Sequence, residues 1–536
     1  MERSMESLMI LRRLACALAL ATVLLPAVLA GARAQDRVLR VSLNTEIQVL
    51  DPIVTTINAT RVFAYLVYDM LFAIDADGNY QPQMIERYEV SEDRLTYTFR
   101  LREGLEWSDG QPVTAEDCIA SIRRWAQREA LGVQIMRQAE GLRVIDARTF
   151  ELKLREPYAY VIEALGKPGN VIPVMMPARL ANLPANAAVP EVVGSGPFLF
   201  DRAGWRPGER AVFLRNPRYR PRAEPASGLA GGKVVRFDRV EAISMPDQST
   251  RVAALQTGEV DFLEIIASDF ITPMRRNRNI VIGEPRGAGQ IMSIVNLNHA
   301  QPPFNNVLIR RAAQLAINQA EVMAALGLPP GLSMERCEAL YMCDTPGQSD
   351  AGTEIFRGAG PERARALLRQ AGYNGEPVVL LHSESSALLN ATSLVIADQL
   401  RRAGFTVDVR TSDYATVAQR RLSREPVERG GWGAVPIVWN GIDLVNPLAN
   451  PGVAYNCAPH YPGWYCDPRQ TELLRNLALA RTPEQRRGLA DQLQAAFHDN
   501  VNYLLGGQFS APAAWRADLV GVVPFPIPVF WNMSRR

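Results

Sequence analysis

Residues 95–118 read LTYTFRLREGLEWSDGQPVTAEDC, and this stretch decides the architecture. Leu95, Tyr97, Phe99 and Leu101 alternate with Thr96, Thr98, Arg100 and Arg102. Successive side chains of a strand point to opposite faces, so the alternation predicts a strand with one buried face. Gly104 and Asp109-Gly110 then turn the chain. Thr114 opens a helix, and Asp117 stands three residues on, where it completes a capping box. Trp107 lies inside the turn and reads as structural.

Working outward, strands and helices keep alternating, which predicts an α/β architecture. Leu39, Val41 and Leu43 alternate with polar residues as a first strand, and residues 44–52 form a loop after it. Phe150, Leu152 and Leu154 form another alternating strand. Gly194-Ser195-Gly196-Pro197 is a tight turn before a strand at 198–200, and residues 223–232 read as a surface loop. A helix passes through Thr250, Val252 and Leu255 and stops at Gly258. In the second half, residues 310–318 are helical, and Pro361 starts a helix that Gly372 ends. A strand at 378–381 precedes a helical face of Leu389, Ile396, Leu400 and Ala403, ended by Gly404. Phe405, Val407 and Val409 alternate next, so this is a βαβ unit and implies parallel sheet. Thr482-Pro483 with Gln485 opens a late helix whose core face is Leu489, Leu493, Phe497 and Val501. A proline-rich extended tail occupies residues 522–531.

A chain of 536 residues is too long for one hydrophobic core and implies two or three domains. Arg12 and Arg13 precede an apolar run at 14–30, and Ala32-Arg33-Ala34 offers small residues for a cut before Gln35. Residues 1–34 therefore read as a secretory signal peptide. The alternative is a membrane anchor, but the run is short and contains Pro26. Cys16 precedes the apolar run, the wrong side for lipid attachment. Without this segment basic and acidic residues balance, which argues against nucleic acid or an anionic membrane as the main partner.

Five cysteines follow the signal segment. Cys337 and Cys343 form one close pair, Cys457 and Cys466 another, and each suits a local disulfide in an oxidising compartment. His460 lies within the second pair, so metal binding is its rival reading, although no C-x2-C motif supplies further ligands. Cys118 is read as a small buried hydrophobe. Catalytic signatures are absent: there is no G-x-S-x-G, Walker loop, G-x-G-x-x-G or H-E-x-x-H. The four histidines, His299, His382, His460 and His498, are scattered. A binding protein without cofactor or metal is expected, with an extracytoplasmic hydrolase as the alternative of another class.

Residues 95–118 resemble the signature of the ABC-transporter solute-binding proteins of family 5, the dipeptide, oligopeptide and nickel class. Leu50-Asp51-Pro52, the Gly194–Phe198 turn, residues 255–261 and the segment from Asn296 through Pro303-Phe304 to Arg310-Arg311-Ala312 agree in order and spacing. The cysteine pairs also look like those of one branch of the family. The resemblance implies a bilobed periplasmic-binding-protein fold. Residues 35–290 would form lobe I, with an extra subdomain at about 80–190. Residues 291–505 would form lobe II, and 506–536 a tail returning to lobe I. It implies a monomeric periplasmic receptor that takes a peptide or other small solute between the lobes and hands it to ABC permease subunits. Non-peptide solutes, such as an oligosaccharide, an opine-like conjugate or a metal chelate, are the runner-up.

Site residues follow from the same resemblance. Peptide-binding members carry an aromatic, two residues, then an aspartate for the ligand's α-ammonium. Here Trp439-Asn440-Gly441-Ile442-Asp443 has one residue more, and Ile442 stands in the usual place. The expected ligand contacts are Trp439, Asn440 and Asp443, with Glu264 and, in the first loop, Thr45 and Glu46. Trp205 and Trp432 are read chiefly as packing residues.

Overall fold

The stretch at 95–118 folds as its pattern dictates. In the computed structural model, which describes residues 37–459 and 461–536, Thr96–Leu101 is a strand with Tyr97, Phe99 and Leu101 buried. It pairs antiparallel with Ile85–Val90 and Thr149–Leu154, and Ala139–Asp146 completes a four-stranded sheet. The helix Ala115–Trp125 begins with the expected Thr114–Asp117 capping box. The same carboxylate accepts a bond from the Trp107 indole at 3.2 Å, and Trp107 is buried. Trp107 is thus a structural peg between turn and helix. The stretch read as a signal peptide, with Cys16, and His460 lie outside the described residues.

Two larger sheets carry the rest. A seven-stranded sheet runs in the order Ile280–Ile282, Ala514–Arg516, Phe262–Leu263, Val38–Ser42, Arg239–Ile243, Arg210–Arg215, Phe198–Arg206. A five-stranded sheet runs Val407–Ser412, Val378–Ser383, Ala434–Asn440, Ile291–Leu297, Tyr503–Phe509. Val378–Ser383 and Val407–Ser412 are parallel, joined by the helix Ala387–Arg402, as the βαβ reading requires.

The chain leaves the first sheet after Ile280–Ile282 and enters the second at Ile291–Leu297; it returns from Tyr503–Phe509 to Ala514–Arg516. The two crossing strands lie side by side, antiparallel, with every residue buried. Side chains tie the crossings together: Gln508 donates to Gln290 Oε1 at 2.6 Å, and Gln290 donates to Ser510 Oγ at 3.1 Å. Cys337 and Cys343 are disulfide-bonded, and the loop they close docks here through the Cys343 N–H, which donates to Gln508 Oε1 at 2.9 Å. Cys457 and Cys466 are joined to each other, which resolves the metal alternative for that pair in favour of a disulfide. Cys118 is fully buried, and burial pushes its thiol well up, away from reactivity.

The family-like motifs turn out to be joints. Asp51 pairs with Arg124 of the Ala115–Trp125 helix at 2.8 Å, both buried, and fastens the four-stranded sheet's helix to the first body. Gly194 and Gly196 pack against the end of the helix Asn58–Val67, where a Cβ on Gly194 would sit 2.0 Å from the Val67 carbonyl oxygen. Arg310, buried at the start of Val307–Ala316, donates to Asn500 O and Oδ1 and to Phe304 O.

Candidate ligand-binding site

A cavity of about 920 Å³ lies between the seven-stranded and five-stranded sheets. That is the upper end of the range for small-molecule sites. The first body supplies Asn58, the turn at 75–80, Tyr160, Phe262, Glu264, Trp515 and part of the tail at 522–529. The second supplies Ile291, the segment 344–347, Asn440, Ile442 and residues 445–447. Aromatic and aliphatic walls are interspersed with polar and charged groups, among them Asp77, Glu264, Glu284, Arg286 and Asp344, which suits a solute with both apolar and polar parts.

Glu264 follows the short strand Phe262–Leu263, next to Val38–Ser42, and lines this cavity. It is buried, and accepts from Asn44 N at 2.7 Å and from Asn58 Nδ2 at 2.6 Å. Burial raises its pKa above the ordinary glutamate value, and those two bonds with the charges of Arg61 and Arg251 pull the other way. Asn440 ends the strand Ala434–Asn440 and also lines the cavity.

Asp443 sits elsewhere. The strand ends in a short 3-10 turn, Gly441–Asp443, held by a Gly441 N–H bond to Gln290 O at 2.8 Å. This turn puts Ile442 at the cavity and leaves Asp443 outside its lining. There Asp443 Oδ1 accepts from Arg61 Nη1 at 3.0 Å and from Asn170 N at 2.9 Å, and Oδ2 accepts from Asn170 Nδ2 at 3.2 Å. Its charge is already matched inside the protein. Trp439 is partly buried and packs edge-on against Tyr503 of the core, with centroids 5.1 Å apart, outside the cavity lining.

Thr45 and Glu46 do not reach the cavity either. They border a separate small recess with Trp205, because the Gly208 N–H donates to Glu46 Oε2 at 2.7 Å and holds that loop against the hairpin at 206–210. Trp432 is fully buried beside Trp464. Of the residues picked from sequence, the structure therefore gathers Glu264 and Asn440 at one cavity and disperses the others.

Residues 79–456 match the family model described as bacterial extracellular solute-binding proteins, family 5 Middle. The chain belongs to this family. The probable peptide ABC transporter periplasmic-binding protein y4tO of Sinorhizobium fredii is 35% identical over 506 residues, 94% of each chain. The glutathione-binding protein GsiB of Escherichia coli K12 is 25% identical over 414 residues, 74% of each chain. A solved dipeptide-binding protein of Pseudoalteromonas sp. SM9913, in complex with Met-Leu, matches the fold with a TM-score of 0.77 at 18% identity, covering 93% of this chain and 100% of that one. The bilobed fold of family 5 is thus the fold of this chain: the two sheets are the cores of two lobes, and the cavity is the cleft between them.

Several residues escaped the sequence reading. Asn58, on the helix Asn58–Val67, and residues 522–529 of the tail line the cavity, whereas Arg61 on the same helix and Asn170 in an irregular loop hold Asp443 away from it. Only the tail had a signal, its prolines and apolar residues without a strand pattern of their own.

Proposed function

We propose that this protein is the extracytoplasmic solute-binding component of an ABC importer, capturing a peptide or peptide-like solute in its interlobe cleft. The observation that carries the reading is a cavity walled by both lobes, whose two connections run side by side. A solute favours the closed state only as far as it binds that state better than the open one, so its contacts must come from both walls. Adjacent crossing strands need few dihedral changes for the lobes to swing. Closure would then present both lobe tips to permease subunits. Export by a signal peptide at residues 1–34, a monomeric state, lobe limits near residues 290 and 505 and the absence of catalysis belong to this proposal. The proposal is supported by relatives named as peptide and glutathione binders.

Glu264 and Asn440 are the proposed polar contacts, one from each lobe. A non-peptide solute is the second reading, favoured by one observation: Asp443 is occupied by Arg61, so a ligand ammonium does not find it free. Native mass spectrometry of protein purified without refolding tests both. A co-purified peptide supports the first reading, and a non-peptide solute replaces it with the second. With that solute in hand, Glu264→Gln and Asn440→Ala are each expected to weaken its affinity by about 10-fold or more, the loss of a polar contact in a desolvated site. Unchanged affinity in both would remove them from the site.

A further inference from the structure

Asp443, which the sequence pattern places on the ligand, lies against the other lobe in the structure. Asp443 belongs to lobe II, yet its carboxylate accepts from the lobe I side: from Arg61 of the helix Asn58–Val67, and twice from Asn170. Both partners of the ion pair are buried, with side-chain exposures of 4% and 6%.

The receiving socket is organised without Asp443. Arg61 Nη2 donates to Asn58 Oδ1 at 2.7 Å, and Asn58 is held in turn by Glu264. Tyr65, one turn along the same helix, donates from its hydroxyl to Pro168 O at 2.8 Å and pins the loop that carries Asn170. Lys167 donates to Asn170 O and pairs with Glu129 at 3.0 Å. Gly169 provides the room: a Cβ there would lie 2.5 Å from Asp443 Oδ1. These bonds hold the socket by contacts of its own, which limits the order lost when the carboxylate docks.

We propose that Arg61, Asn170 and Gly169 form a latch for Asp443, which holds the lobes shut in the absence of any solute. The inference rests on the two-lobe reading above. A buried ion pair contributes little when compared with an apolar pair, but removing one partner leaves the other charge buried and unmatched, which is costly. Opening the cleft returns both charges to water, so a single substitution moves the balance between closed and open directly. Other lobe contacts, such as Arg486–Glu163 at 3.1 Å, are partly exposed and weaker for that reason. The latch also lowers the closing energy that a solute must supply, relative to a lobe pair without it.

The test compares solute-free wild type, Asp443→Asn and Gly169→Ala by small-angle X-ray scattering at one pH. Gly169→Ala acts as a steric wedge on the docked carboxylate and removes no charge, so it serves if the charge variant folds poorly; circular dichroism checks both. Wild type is expected to fit the closed structure, and both variants to show a larger radius of gyration, with the closed-to-open ratio down at least about 10-fold. Wild type as open as the variants retires the latch and leaves the receptor reading intact. Three profiles that all fit one shut body retire both.

Discussion

Glu264 and His498 are buried ionisable groups with opposite effects on stability. Burial raises the Glu264 pKa above the unfolded value, so the folded state binds the proton more tightly there. Its contribution is present at low pH and is lost as pH rises through the folded value. Glu264→Gln is therefore expected to gain melting temperature relative to wild type between pH 4 and 8, read by thermal scans; a constant difference would show the carboxylate to be unperturbed. Burial lowers the His498 pKa from 6.5 to about 4. The unfolded chain then binds the extra proton between those values, so stability falls as pH drops from about 6.5 to 4, by on the order of 3 kcal/mol for full expression of the shift. His299 is pushed down as well, mainly by burial, and acts in the same direction. His498→Gln is expected to flatten this acid limb, and an unchanged limb would contradict the assignment. Trp107→Phe removes the indole bond to Asp117 and some packing. A loss of about 1–3 kcal/mol with unchanged solute affinity is expected, measured by denaturant unfolding and calorimetry.

At the scale of elements, most of the fold was legible because its determinants are local. The Thr482–Gln485 capping box, the Thr114–Asp117 box and the left-handed Gly258 at the end of Gln248–Thr257 are each set within a few residues. Thr482→Ala is expected to cost about 1 kcal/mol, the usual value of a lost cap, in chemical denaturation. The close cysteine pairs were legible for the same reason. Replacing Cys457 and Cys466 together by serine opens a loop of sequence separation 9 and is expected to cost about 2–3 kcal/mol. The cleft was less legible. Arg61 and Asp443 are 382 positions apart, and no spacing rule joins them. Ile442 lines the cavity and Asp443 does not, a difference in facing that a spacing pattern does not encode. Thr45 and Glu46 were placed by their strand but steered by Gly208, a partner 162 positions away from Glu46.

At the scale of the whole molecule, the motifs that identify the family are its joints, and the cleft is assembled from residues those joints bring together. Asp51–Arg124 and Trp107–Asp117 fix the frame of lobe I, while the crossing strands with Gln290 and Gln508 form the seam between lobes. Such an arrangement keeps fold and specificity on separate residues: the joints lie outside the cavity lining, and the cleft is lined by others. The most direct measurement is a crystal structure of the protein carrying the solute with which it co-purifies. Density inside the cleft, touching Glu264 on one side and Asn440 on the other, is the outcome this account requires. Solute bound to an outer face, with the cleft empty, would contradict it.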